Sequence, residues 1–110
     1  MAAPATLSSN RGIVGRAFQL RRAQLVLDVR SDPDYLQVFG DVSSELAMPI
    51  LFQGRTLGVI NFENDRPQAF SEETVSLLQM ITDQIAGVVH LAAMNQRLSE
   101  MADELATANR

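Results

Sequence analysis

Residues 45–63 read ELAMPILF, QG, RTLGVINFE: Glu45 to Phe52, the pair Gln53-Gly54, then Arg55 to Glu63. Two apolar runs separated by two residues, the second a Gly, predict a β-hairpin with a type I′ turn. In the simplest register Phe52 faces Arg55, Ile50 faces Leu57 and Met48 faces Val59. Both faces of that ribbon are largely apolar, so it requires cover on both sides. Pro49 has no N–H to donate, which places it at a bulge or at an unpaired position.

Upstream, Ile13, Val14, Ala17 and Phe18 share one face of a short amphipathic helix. Gln24 to Val29 (QLVLDV) reads as a strand, followed by the turn-rich Ser31-Asp32-Pro33-Asp34 and a further helical turn over Tyr35 to Phe39. Downstream, Asn64 to Gln68 is a loop. Ser71 then caps a helix with Glu72 and Glu73 in its first turn. No stop signal follows, so the helix is expected to run nearly to Arg110. It carries two stripes. Leu78, Ile81, Ile85, Val88 and Ala92 form the one expected to cover the sheet. A second, in strict 3,4 spacing, runs from Leu77 to Ala108 and includes Leu91, Met94, Leu98, Met101 and Leu105. That spacing is a coiled-coil seam, and it predicts a homodimer through those five residues.

The 110 residues are 46% hydrophobic and carry nine Arg, no Lys and thirteen acidic residues, net −4. One small core is the expectation at this length. An acidic chain without Lys argues against nucleic acid or an anionic membrane as partner. The absence of Cys removes disulfides, thiolate metal sites and Cys nucleophiles. Met1 to Asn10 reads as a flexible lead with no secretory pattern. The longest uncharged stretch, Gln84 to Gln96, is short for a membrane span, so the expected setting is cytoplasmic.

The ordered series Gly12-Ile-Val-Gly15-Arg-Ala-Phe18, Asp28-Val29, Asp32-Pro33-Asp34-Tyr35, Ser44-Glu45-Leu46-Ala47-Met48-Pro49-Ile50, Leu57-Gly58-Val59-Ile60-Asn61-Phe62-Glu63 and Phe70-Ser71-Glu72 resembles a GAF domain. The resemblance covers residues 11–91 and leaves 92–110 as a coiled-coil signalling extension. It implies an α+β fold: an antiparallel sheet flanked by helices, a small-molecule pocket on one face, and a long C-terminal helix that relays a signal. The family's first helix and first two strands have no counterpart here, so the expected domain is truncated at its N-terminus. The strand at Thr56 to Glu63 then has one unpaired edge.

The resemblance implies a sensory or regulatory module of a cytoplasmic signalling protein such as a histidine kinase, with a downstream output domain. The alternative is a ligand-free dimerisation and relay module. The cyclic-nucleotide signature of the family is only partly present, since Phe62 follows Asn61. Bilin attachment and methionine sulfoxide reduction in this family use Cys, which this chain lacks, so neither is expected here. His90 is expected on the far side of the helix from the sheet, facing solvent. Asp32-Pro-Asp34 lacks calcium-loop spacing and reads as a turn. Gly12 and Gly15 read as helix-packing positions, and Arg11, Arg16, Arg21 and Arg22 as a solvated basic face. The residues chosen for a ligand pocket are Asp28, Arg30, Tyr35, Phe39 and Glu45, which bring both charges and two aromatics to the strand end and the following loop. No nucleophile–base pair is readable, so the expectation is a non-enzyme with no catalytic residues, no metal and no cofactor.

Overall fold

The computed structural model describes residues 11–37 and 40–108. The expected flexible lead and Phe39 lie outside the described residues. Helix α1 spans Gly12–Leu20 and strand β1 Gln24–Val26; a 3-10 turn follows at Val29–Ser31. Strands β2, Ser44–Phe52, and β3, Arg55–Asn64, form the hairpin, and helix α2 runs from Glu72 to Ala108. The three strands pair antiparallel in the order β1-β2-β3. Architecture and class are those expected: an antiparallel sheet with helices, α+β, and a long final helix.

The hairpin turn is as read, with Gln53 at φ 52° and Gly54 at φ 77°. Two successive positive φ values define the type I′ turn, and Gly54 accepts its own without strain. The register is not as read. Phe52 faces Arg55 and Leu51 faces Thr56, but a bulge between Ile50 and Leu51 then sets Ile50 against Gly58, Pro49 against Val59 and Met48 against Ile60. The bulge absorbs one residue of β3 and shifts every later pair by one. It falls beside Pro49, and β1 pairing stops at Ala47, so the ladder is interrupted around the residue that cannot donate. β3 forms the outer edge of the sheet among the described residues.

Alternation along β2 separates two layers. Ala47 joins Ile13, Ala17, Val26 and Val29 in a buried cluster under α1, and Thr56 Oγ1 donates to the Phe18 carbonyl on the same side. Leu46 and Met48 are fully buried toward α2, where Thr82 Oγ1 donates to the Leu78 carbonyl at 2.7 Å and meets Met48 Sδ at 3.2 Å. The hairpin is therefore covered on both faces, as its composition requires.

Strand β1 is shorter than expected. Asp28 ends it by accepting from the Arg30 amide and capping the 3-10 turn. Tyr35 to Gln37 are not helical. Ser71 caps α2 through the Thr74 amide at 3.1 Å.

The sheet-facing stripe of α2 is the main correction. Thr82 and Ala86 are the buried residues of this helix, while Ile81 and Val88 are exposed. Small side chains at 82 and 86 let the helix backbone approach the sheet, and the bulky residues one position before and two after turn outward. His90 consequently lies toward the hairpin, not away from it. Its ring stacks on Phe52 at a centroid distance of 4.1 Å. α2 also contains one 18-residue window, mean hydropathy 1.3 and 11% buried, that is apolar enough to cross a membrane by length and composition alone.

Candidate functional site

The α1 side of the hairpin becomes polar at its open end. In β2 the residues on this side are Pro49, Ala47 and Glu45; their partners in β3 are Val59, Asn61 and Glu63. Glu45 stands directly opposite Glu63. Glu45 is only 4% exposed. Like charges directly opposite one another on one sheet face destabilise a ladder. The pair is therefore a cost to the fold, offset only if one carboxyl is protonated or a cation comes between them.

The electrostatics follow from that geometry. Burial first, then the charges of Glu63 and Asp32, push the Glu45 carboxyl up to about 7, against a downward pull from Arg16. Tyr35 sits over the same end of the sheet, packed against the α1-side core. Burial raises its phenol, and the charges of Glu63 and Glu45 raise it further. Asn61 Nδ2 donates to Glu63 Oε1 at 3.0 Å, which orients that carboxylate across the sheet face.

Arg16, on α1, is the cation whose charge acts on Glu45, and it is engaged elsewhere. Its two terminal nitrogens hold Asp32 bidentately at 2.9 Å each. One of them also reaches Asp34 Oδ2 at 3.0 Å, and Nε donates to Gln24 Oε1 at 2.9 Å. The Asp32 carboxyl is held below its ordinary range, chiefly by the Arg16 hydrogen bonds. Asp32 Oδ1 also accepts the Asp34 amide at 2.9 Å, so this stretch is the turn expected and forms a clamp that ties the loop of Tyr35 to α1. Gly12, at φ 69°, closes the other side of that loop. A Cβ there would stand 3.2 Å from Leu36 Cδ1.

Of the five residues expected to line a pocket, the structure brings Tyr35 and Glu45 together. Asp28 and Arg30 instead pair with each other, at 2.7 Å, on the exposed 3-10 turn. Hydrogen bonds from Arg30 hold the Asp28 carboxyl at about 2. This pair is a local turn device and does not face Glu45. Phe39 lies outside the described residues. Glu63, Asn61 and the Arg16–Asp32 clamp were not among the choices. The signal for Glu63 was the bulge: the straight register sets Glu45 against Phe62 and hides the acid pair. The signal for the clamp was weak, because a helical Arg and a turn Asp sixteen residues later share no local pattern. Among the described residues no cluster of His, Asp or Glu has the arrangement of a metal site.

Comparison with known proteins places these features in a family. The GAF domain profile matches residues 1–90. The GAF domain-containing protein A of Dictyostelium discoideum is 29% identical over 66 residues, 60% of this chain and 42% of that protein. A type II free methionine-R-sulfoxide reductase from Thermoplasma acidophilum superposes with a TM-score of 0.73 at 32% identity, covering 76% of this chain and 60% of its own. The GAF domain of a phosphoenolpyruvate-protein phosphotransferase from Acinetobacter superposes with a TM-score of 0.73 at 24% identity, covering 83% of this chain and 54% of its own, and shares the fold. The chain thus spans about two-fifths to three-fifths of the relatives it matches. The expectation of a non-enzyme is overturned by the reductases, which are enzymes built on this fold. The profile match over most of the sequence, together with the shared fold, leads to one assignment: the chain belongs to the GAF domain family.

Proposed function

We propose that this chain is the ligand-binding regulatory module of a larger signalling protein, and that its ligand is a small molecule carrying a protonated nitrogen. The observation that supports this most is the buried Glu45 set opposite Glu63, with Arg16 drawn away by Asp32 and Asp34. An ammonium group placed between the two carboxylates would remove their repulsion and gain charge-assisted hydrogen bonds. Tyr35 would close over it. The loop that carries Tyr35 is tied to α1, and α2 backs the same strands from the other face, so occupancy has a structural route to the helix. A cytoplasmic setting, a downstream output domain such as a histidine kinase, and relay along α2 belong to the same proposal.

Free methionine-R-sulfoxide, named by the reductase relatives, carries such a nitrogen and is the first probe. Calorimetry with this sulfoxide and with simple primary amines should give binding heat that vanishes for the N-acetylated sulfoxide. Glu45→Ala, with an unchanged circular dichroism spectrum, should abolish it. Binding of the N-acetylated form as tightly as the free amine, or silence toward every amine, overturns the proposal. The same samples supplied with a dithiol would show whether sulfoxide is consumed.

A further inference from the structure

His90 is a half-buried imidazole that the Glu45 site does not use. Its ring lies nearly flat on Phe52, 18° from parallel, and neither ring nitrogen has a hydrogen-bond partner among the described residues. Phe52 stands directly opposite Arg55 in the hairpin. Residues directly opposite share a face of the sheet, about 5 Å apart at Cβ, so Arg55 borders the stack from β3. From α2, Arg97 lies seven residues beyond His90 on the same helix face, about 10 Å further along at 1.5 Å per residue. Helical side chains lean back toward the N-terminus, which carries Arg97 toward His90. Both arginines are exposed, and neither guanidinium has an ion pair or hydrogen bond among the described residues. The acids nearest on α2 are engaged by glutamines: Gln96 holds Glu100 at 3.1 Å and Gln79 holds Asp83 at 2.9 Å. The hairpin has no acidic residue between Glu45 and Glu63. In a chain of net charge −4, the corner where α2 leaves the hairpin thus carries two free cations and an unpaired imidazole.

We infer that this corner binds a phosphate monoester, with Arg55 and Arg97 on its oxygens and the His90 N–H between them. A dianion matches two guanidinium charges, and the planar guanidinium fork fits phosphoryl oxygens two at a time. A single carboxylate would leave one cation unmatched. The Phe52 stack holds the imidazole in place before the ligand arrives, which lowers the ordering cost of binding. The corner lies at the turn end of the hairpin on the α2 side, whereas Glu45 lies at the open end on the α1 side. The two sites therefore take ligands of opposite charge and share no residue.

Nitrogen-15 resonances of the Arg55 and Arg97 side chains and of the His90 ring report occupancy in the full chain. Titration with inorganic phosphate at constant ionic strength should shift all three along one saturating curve, and acetate should bind more weakly. Arg55→Gln and Arg97→Gln replace exposed side chains and leave the fold intact. Each should weaken phosphate binding about tenfold or more, the loss of a charge-assisted hydrogen bond, while amine binding at Glu45 persists. His90→Phe keeps the ring stack and should weaken phosphate binding as well. Arg21→Gln with Arg22→Gln removes as much charge from the end of α1 and should change nothing. Phosphatidylcholine vesicles carrying phosphatidic acid distinguish the sources: a chain that sediments with them and is released by inorganic phosphate reads the monoester on a lipid, and one that stays in solution reads it on a soluble molecule. Shifts that stay linear in phosphate, acetate bound as tightly as phosphate, an equal loss in the Arg21 and Arg22 variant, or undiminished binding by Arg55→Gln each overturn the inference.

Discussion

At the scale of single residues, the fold is organised around charges that do not meet. Arg16 is spent on Asp32 and Asp34, and Glu45 is left opposite Glu63. Arg16→Ala removes a bidentate, partly buried ion pair that anchors the Tyr35 loop. Its cost should be about 1–2 kcal/mol, between an exposed pair and a buried one. Urea unfolding measures it, and Asp32→Ala in the Arg16→Ala background should then add only the loss of the Asp34 amide bond, since the ion pair is already gone. Glu45 predicts a pH dependence of the opposite sign to Asp32. Its carboxyl is raised from 4.5 to about 7, so the native state holds a proton that the unfolded chain releases. That contribution is complete below about 4.5 and is lost as pH rises toward 7. The Asp32 carboxyl is lowered, so its contribution is present above the ordinary carboxylate range and is lost as pH falls through its folded value. Stability measured across pH 4.5–7.5 should therefore decline toward neutral pH, and Glu45→Gln should flatten that decline.

At the scale of elements, the hairpin was legible and the faces of α2 were not. A two-residue turn ending in Gly between two apolar runs specifies its own backbone. Helix orientation depends on what a side chain allows a neighbour to do, and hydrophobicity does not report that. Thr82 and Ala86 are poor markers of a core face by apolar content, yet they are the residues that fit beneath the sheet. Ala86→Leu should overpack this contact at a cost of about 1–3 kcal/mol, whereas Val88→Ala should leave the folding of the domain nearly unchanged. Thermal melts of the two variants separate the observed orientation from the one that hydrophobicity favours. The bulge between Ile50 and Leu51 was signalled by Pro49, but its effect on register was not, and so the acid pair stayed hidden while Glu45 itself was found. Met48, fully buried between sheet and α2, should cost about 2–5 kcal/mol as Ala. The outer edge of β3 predicts that its outward amides exchange faster than those bonded to β2.

At the scale of the whole molecule, the two faces of the sheet divide the work. The α2 side holds the core together and carries the long helix outward, 59 Å in the longest dimension. The α1 side keeps its charges at the open end, where a ligand would relieve a strain that the folded protein carries unassisted. This is the central claim, and it makes binding and protonation compete for one carboxyl. A cationic nitrogen binds the deprotonated form of Glu45, and the proton must leave first. The most direct measurement is the affinity for a primary amine ligand at pH 6 and at pH 8, by calorimetry, in the unaltered chain and in Glu45→Gln. With a carboxyl that titrates at about 7, the unaltered chain should bind about tenfold more tightly at pH 8, and Glu45→Gln should bind weakly with no such gain. An affinity that stays level or falls from pH 6 to pH 8 in the unaltered chain would contradict the account.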